Sequence, residues 1–313
     1  MAPLIALALT IHPPTAVPVG GPVGPMPWHL ADVRLALTQP PPVTTLAVDL
    51  LVLDDPPGGH KLFIAPLATL LDGEHFYVGQ LTQVVNAYRK DRRGGYWPDA
   101  YPGYWPHLPD GFLFSRWGDT DPDAVRQPHG GFFHAGAHEG PHVGVKVLHR
   151  WRKGRYTYRL LRTEQRFEAD GKWQSWFAAF VYDHQSGSEV YVGSLRFPGL
   201  SHPLTHGLGW FVELYQARPP FEPVADRVPL VRVVVGNWRL NGSPPQVAGV
   251  SVIYPPGSPQ VAEVKTLRRF LADGHGHPGP GWPTDAGAAG LLIHPKPVAR
   301  TPGYQPLWTA SHR

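Results

Sequence analysis

The chain has no cysteine, 2 methionines, and charged side chains at only 17% of its 313 positions. Without cysteine there is no disulfide framework, no thiolate nucleophile and no Cys-ligated zinc. No apolar run approaches the roughly 20 residues that a membrane-spanning helix needs. No P-loop, dinucleotide-binding fingerprint or serine nucleophile elbow occurs. The Gly-rich GGPVGP at residues 20–25 contains prolines, which lack amide hydrogens, and it opens no helix. Helical periodicity is scarce as well. The best stretches are residues 66–71 and 261–271, the second with apolar Val261, Val264, Leu267 and Leu271 at helical spacing.

What is present is turn chemistry and aromatic surface. There are 38 prolines, 35 glycines and 11 tryptophans, and aromatics make up 12% of the chain. Trp, Tyr and Phe favour strands and also make flat docking surfaces. Apolar runs of strand length recur between Gly/Pro breaks. Residues 45–53 are nearly continuous, 143–149 alternate, and 173–182 are aromatic on both faces. In residues 156–161, Tyr156, Tyr158 and Leu160 share one face, with Thr157 and Arg159 on the other. This pattern predicts an all-β, jelly-roll-like sandwich with extended Pro/Gly-rich terminal arms. The boundaries are an N-terminal strand and Pro/Gly connector over 1–25, a sandwich over 26–245 and a C-terminal extension or arm over 246–313. The N-terminal apolar stretch lacks the basic flank and small-residue cleavage site of a signal peptide, and residues 4–11 read as a strand.

The formal charge is +4. Lys146, Arg150, Arg152, Lys153, Arg155, Arg159, Arg162 and Arg166 concentrate it in one stretch. Such a face can attract a polyanion, but a solvated sheet face explains it more simply. No recognised nucleic-acid module accompanies it.

Several constellations can carry chemistry. Gly95-Tyr96-Trp97-Pro98 recurs as Gly103-Tyr104-Trp105-Pro106 in a Gly/Pro-rich stretch between strands. Exposed rings there would stack on sugar C–H faces, with Arg152 and Arg159 bonding hydroxyls or carboxylates. Asp119, Asp121 and Asp123 alternate in one loop. They read either as a structural Ca²⁺ site or as a turn that bonds its own amides. No other cofactor is implied. His129, His134, His138, Glu139 and His142 are dense enough to suggest a transition metal, or merely a polar Gly-rich edge. As an enzyme, the chain would centre on Glu139 and His138. Glu213 would be the second acid of a glycosidase, or Tyr158 and Arg159 the partners of a lyase.

Several of these motifs resemble the bacterial domain-of-unknown-function family three-four-seven-two. They are FYVGQ at 76–80, FLFSRW at 112–117, Glu139-Gly140, the spacing of Trp151, Gly154 and Tyr158, and Asn237-Trp238. The resemblance spans about Trp28 to Asn241. It departs from the family at the GYWP insertion, at Pro141-His142 and in the absence of a convincing secretion signal. It implies a β-rich, extracellular or cell-surface module found beside carbohydrate-active domains. The leading expectation is therefore a non-catalytic module that binds glycan or another cell-surface polymer. A polysaccharide-active hydrolase or lyase is the alternative. A structural protein that assembles into homo-oligomers through its arms is the third.

Overall fold

A computed structural model describes residues 28–56, 61–82, 88–90, 96–98, 110–136, 140–215, 229–275, 282, 287–294, 298 and 302–309. The strand expected over residues 4–11 and the connector that follows lie outside these. In chain order the strands begin with β1 (Trp28–Leu37), β2 (Thr45–Val52), β3 (Lys61–Leu71), β4 (Glu74–Leu81), β5 (Tyr88–Lys90) and β6 (Tyr96–Pro98). Next are β7 (Gly111–Trp117), β8 (Val125–Arg126), β9 (Phe132–Gly136), β10 (His142–Leu148), β11 (Gly154–Phe167), β12 (Trp173–Asp183) and β13 (Ser188–Pro198). The series closes with β14 (Leu208–Tyr215), β15 (Val231–Leu240), β16 (Val247–Tyr254), β17 (Ala262–Thr266), helix α1 (Leu267–Ala272), β18 (Ala289–Ile293) and β19 (Gly303–Thr309).

These strands form two antiparallel sheets, as expected of an all-β sandwich. The larger has eleven strands in the order β19-β16-β1-β14-β3-β4-β7-β10-β9-β5-β6. The smaller has eight, in the order β17-β18-β15-β2-β11-β12-β13-β8. One continuous apolar core fills the space between them. It is aromatic where the middle strands face each other. Phe197 of β13 packs against Phe76 of β4 at 5.8 Å and Phe114 of β7 at 6.4 Å. Tyr158 of β11 lies edge-on to Phe112 at 6.2 Å. Its hydroxyl donates to Gln80 Oε1 at 2.7 Å, so the phenol is buried with a partner. Trp151 is fully buried, and its indole N–H donates to the Leu81 carbonyl. The family-like motifs at 76–80, 112–117 and 151–158 thus meet across the core. The tight β3–β4 hairpin turns on Asp72 and Gly73, both at positive φ, the geometry of a two-residue type I′ loop.

Of the two stretches read as helical, 66–71 is strand, and 261–271, where a strand is the alternative reading, divides between strand and helix. Residues 66–71 lie in β3. In 261–271, Ala262 and Val264 alternate with Glu263 and Lys265 as β17 pairs with β18, and only the end coils into α1. Leu267 and Phe270, three apart, are the buried pair of that turn. The segment from residue 246 onward, expected to extend as an arm, supplies β16 and β19 to the larger sheet. It also supplies β17 and β18 to the smaller. Among the described residues, no helix is long and apolar enough to cross a membrane.

The basic strand β11 faces outward from the smaller sheet and is met by acids. Asp49 of β2 is almost fully buried. It accepts from Arg155 at 2.5 Å, from Thr157 Oγ1 at 2.6 Å and from Asn237 Nδ2 at 2.6 Å. Asn237 sits at φ 54°, where β15 breaks register against β2. The Asn of the Asn-Trp pair therefore ties a bulge to the neighbouring strands. Replacing Asp49 by Ala leaves a cation and two donors without their acceptor. The expected cost is about 3 kcal/mol, read as a lower urea midpoint with the slope unchanged. A loss below about 1 kcal/mol, the size of an ordinary surface substitution or less, would contradict this hub.

Candidate functional site

Side chains in a strand alternate between faces, so residues i and i+3 normally point to opposite sides. Two breaks in that rule build a cleft on the outer face of the larger sheet. In β1 the register against β14 shifts between His29 and Ala31. Leu30 and Ala31 both enter the core. His29 and Asp32 consequently share the outer face, with Nδ1 of His29 3.0 Å from Asp32 Oδ1. In β3 the register against β4 shifts between Ile64 and Leu67, which both face the core. Pro66 lies inside this break, where no ladder N–H is required. Ala65 and Ala68 then join Phe63, Tyr77, Leu81, Leu113 and Phe211 in a second apolar cluster on the outer face.

Ala68 is small, and a cleft of about 130 Å³ opens beside it. One wall is aromatic. Tyr77 meets Trp117 edge-on at 4.9 Å and Phe211 at 5.5 Å, and His75 leans on Trp117 at 4.7 Å. The other wall is ionisable, with His29, Asp32, Arg34 and Glu213. His29 stacks on Phe211 at 4.8 Å. Its Nε2 lies 3.6 Å from Glu213 Oε1, so one imidazole stands between two carboxylates. Glu213 is only 3% exposed, although it borders the cleft. Burial lowers the His75 pKa to about 4, helped by the charges of Arg34 and His29 and opposed by Asp32. At neutral pH His75 is therefore an uncharged imidazole that can accept or donate.

The polar tract continues across β7, β10 and β9. Trp117 lies 5.6 Å from His142, and His142 lies 5.5 Å from His134. His134 Nε2 is hydrogen-bonded to Ser115 Oγ at 2.9 Å. Gly144 makes this possible, because a Cβ there would stand 2.2 Å from His134 Nε2. Burial, then the charges of Lys146 and His142, holds the His134 pKa well below the ordinary histidine value.

The residues singled out in the sequence fall in several places. His138, Glu139, Tyr104 and Trp105 lie outside the described residues. The backbone of Tyr96 and Trp97 forms β6, paired with β5 at one end of the larger sheet. Arg152 is exposed in the β10–β11 connection, where its N–H donates to the Tyr156 hydroxyl. Arg159 lies on the smaller sheet, ion-paired with Glu189. Of the clustered histidines, His134 and His142 come together on adjacent strands. In the acidic loop, Asp119 pairs with Arg116 at 2.6 Å and Asp121 with Arg196 at 2.7 Å. Asp119 and Asp121 also accept the backbone N–H groups of Asp121 and Asp123. These contacts form a self-bonded turn anchored by arginines. Among the described residues, no group of three or more His, Asp and Glu is arranged to hold a metal. His29, Asp32, Arg34 and His75 carry no sequence signal, because their grouping depends on a bulge and on pairing between distant strands.

No family model matches this chain, and no curated protein matches it. The solved structures similar to it include Scytalido-glutamic peptidase with a peptide-based transition state analog. That alignment has a TM-score of 0.35 and 9% identity, and covers 85% of this chain and 98% of that one. The likeness is too distant to say anything about activity.

The buried histidines set an acid limit. His202, packed edge-on against Phe177 at 4.9 Å, is lowered like His75 to about 4, first by burial and then by Arg162. The unfolded chain, with histidines near 6.5, therefore binds protons before the folded one does. The stability they contribute is complete above about pH 6.5 and is lost progressively as pH falls towards 4. The urea midpoint is expected to drop between pH 7 and pH 4.5, and to drop less in His202→Leu. Equal pH slopes for the two proteins would refute the contribution of His202.

Proposed function

We propose that the outer face of the larger sheet binds an extended polymer, a glycan or similar cell-surface polymer, with the cleft between β1 and β7 as its centre. The observation that carries this reading is the pairing of two unlike walls across one opening. Tyr77 of β4 and Trp117 of β7 form one, His29, Asp32 and Arg34 of β1 the other, and Phe211 and Glu213 of β14 lie between them. A sugar ring presents both chemistries at once. Its C–H face packs on aromatic rings, and its hydroxyls take hydrogen bonds from and to ionisable groups. The tract through His142, His134 and Ser115 extends the surface towards β5 and β6, the strand that carries Tyr96 and Trp97. The resemblance to a family found beside carbohydrate-active modules agrees with this reading.

One observation favours a second reading, hydrolysis of an acyl group carried by the bound polymer. His29 stands between Asp32 and Glu213, and a titratable cluster in a cleft is a frequent mark of catalysis. A glycosidase sets its two carboxyls about 5–10 Å apart, on either side of the sugar. A carboxylate 3.6 Å from an imidazole suits a proton relay on one side of the reacting carbon. In acyl hydrolysis, Glu213 would take a proton from water as the water oxygen bonds to the acyl carbon. The relay would return that proton to the leaving group as its bond to carbon breaks. Asp32 would hold His29 in place, and Glu213 would be the base; Glu139, the acid singled out in the sequence, lies outside the described residues.

Both readings are tested by presenting a polysaccharide array to the purified chain, with product analysis on each hit. Trp117→Ala is expected to weaken binding about tenfold or more, the scale of a lost stacking ring, while the circular dichroism spectrum is unchanged. Binding without product supports the module. Product that disappears in Glu213→Gln supports the hydrolase. Undiminished binding by Trp117→Ala would remove the cleft from consideration.

A further inference from the structure

Resting on the reading of the cleft as a glycan site, we propose that it selects a polymer of 2-amino sugars, recognised through the protonated amine. Three features of the site converge on an ammonium group. The first is the charge of the cleft wall. Asp32 and Glu213 bring two carboxylates to it, beside the guanidinium of Arg34 and the imidazole of His29 that lies between them. The two acids are there by construction. The bulge in β1 turns Asp32 to the side of His29, and pairing of β1 with β14 sets His29 opposite Glu213.

The second feature is the aromatic lining. Phe211, Tyr77 and Trp117 offer ring surfaces, and rings of this kind attract a cation through their quadrupoles, most strongly where water is excluded. A hydroxyl gains nothing comparable from such a wall, and an acetamide carries no charge to place there. The third is the character of the neighbouring imidazole. His75 lies within the cleft and stays uncharged at neutral pH, so it does not oppose an incoming cation. His29 is the group that an ammonium would rival. It spans Asp32 and Glu213 with its two nitrogens, and a ligand amine entering the cleft would share those same carboxylates.

This places the selectivity on the carboxylates and the general affinity on the rings, and the two can be separated. The probes are three β-1,4-linked hexamers, of glucosamine, of N-acetylglucosamine and of glucose, titrated calorimetrically at pH 6. The glucosamine hexamer is expected to bind about tenfold tighter than either neutral hexamer, within the range of a cation over aromatic rings at a partly desolvated site. The margin should shrink at high salt. Asp32→Asn and Glu213→Gln are each expected to erase most of the margin, weakening the glucosamine hexamer far more than the glucose hexamer. Trp117→Ala should weaken all three. Thermal melts show whether Glu213→Gln is folded, and Asp32→Asn, at the more exposed position, gives an independent readout. Equal binding of the three hexamers, or a preference that survives both carboxylate variants, overturns amine selection and leaves the glycan cleft standing. Absence of binding by all three overturns amine selection. If other glycans also fail to bind, the cleft reading falls with it.

Discussion

Alternation of side chains along a strand is the constraint on which this molecule depends. Each strand of the larger sheet must give one face to the common core and the other to the outside. A regular strand allows no third arrangement. The core follows the rule through long stretches of β2, β4, β7 and β11. The outer cleft exists because β1 and β3 break it. Each break lets residues of opposite parity enter the core, then re-aims the residues that follow. In β1 the re-aimed residue is Asp32, brought next to His29. In β3 it is Ala68, whose small side chain leaves the space. Bulges concentrate next to functional sites for this reason, since they place side chains that regular pairing would separate.

The remainder of the fold holds that geometry fixed. Aromatic rings of β4, β7, β11 and β13 interlock between the sheets, and the inward Tyr158 hydroxyl donates to Gln80. On the far side of the smaller sheet, Asp49 gathers Arg155, Thr157 and Asn237, so the most basic strand is pinned by an acid from its neighbour. A chain with few charges uses many of them in such pairs. Arg116 with Asp119, Arg196 with Asp121, and Arg232 with Asp54 follow the same pattern. A positive formal charge is therefore a poor guide to the ligand, because many of the cations are matched locally.

The β class was legible because period-two patterning and Gly/Pro punctuation are local properties. The inward face of β11 followed directly from the alternation of Tyr156, Tyr158 and Leu160. The last quarter of the chain was harder to read. Its Pro/Gly content resembles an arm, yet short apolar runs such as 289–293 are enough to complete a sheet when a neighbour is waiting. Val261, Val264 and Leu267 fit a helical spacing, but pairing with β18 makes 262–266 a strand and the helix begins only at Leu267. The site was legible only in parts. Glu213 stood out as an acid on an aromatic strand, and Trp117 belonged to a recognisable motif. His29, Asp32 and His75 did not, because a bulge is invisible to periodicity and strands β1, β4 and β14 are far apart in sequence. The acidic loop at 119–123 was ambiguous, since the arginines that claim its carboxylates were not evident from spacing.

The most direct measurement is a crystal structure of the chain with a bound oligosaccharide taken from the tightest hit of the array. The account predicts a sugar ring seated between Trp117 and Tyr77 on one side and His29, Asp32 and Glu213 on the other, with the chain of sugars running along the outer face of the larger sheet. A ligand bound on the smaller sheet, with the cleft still holding only water, would contradict it.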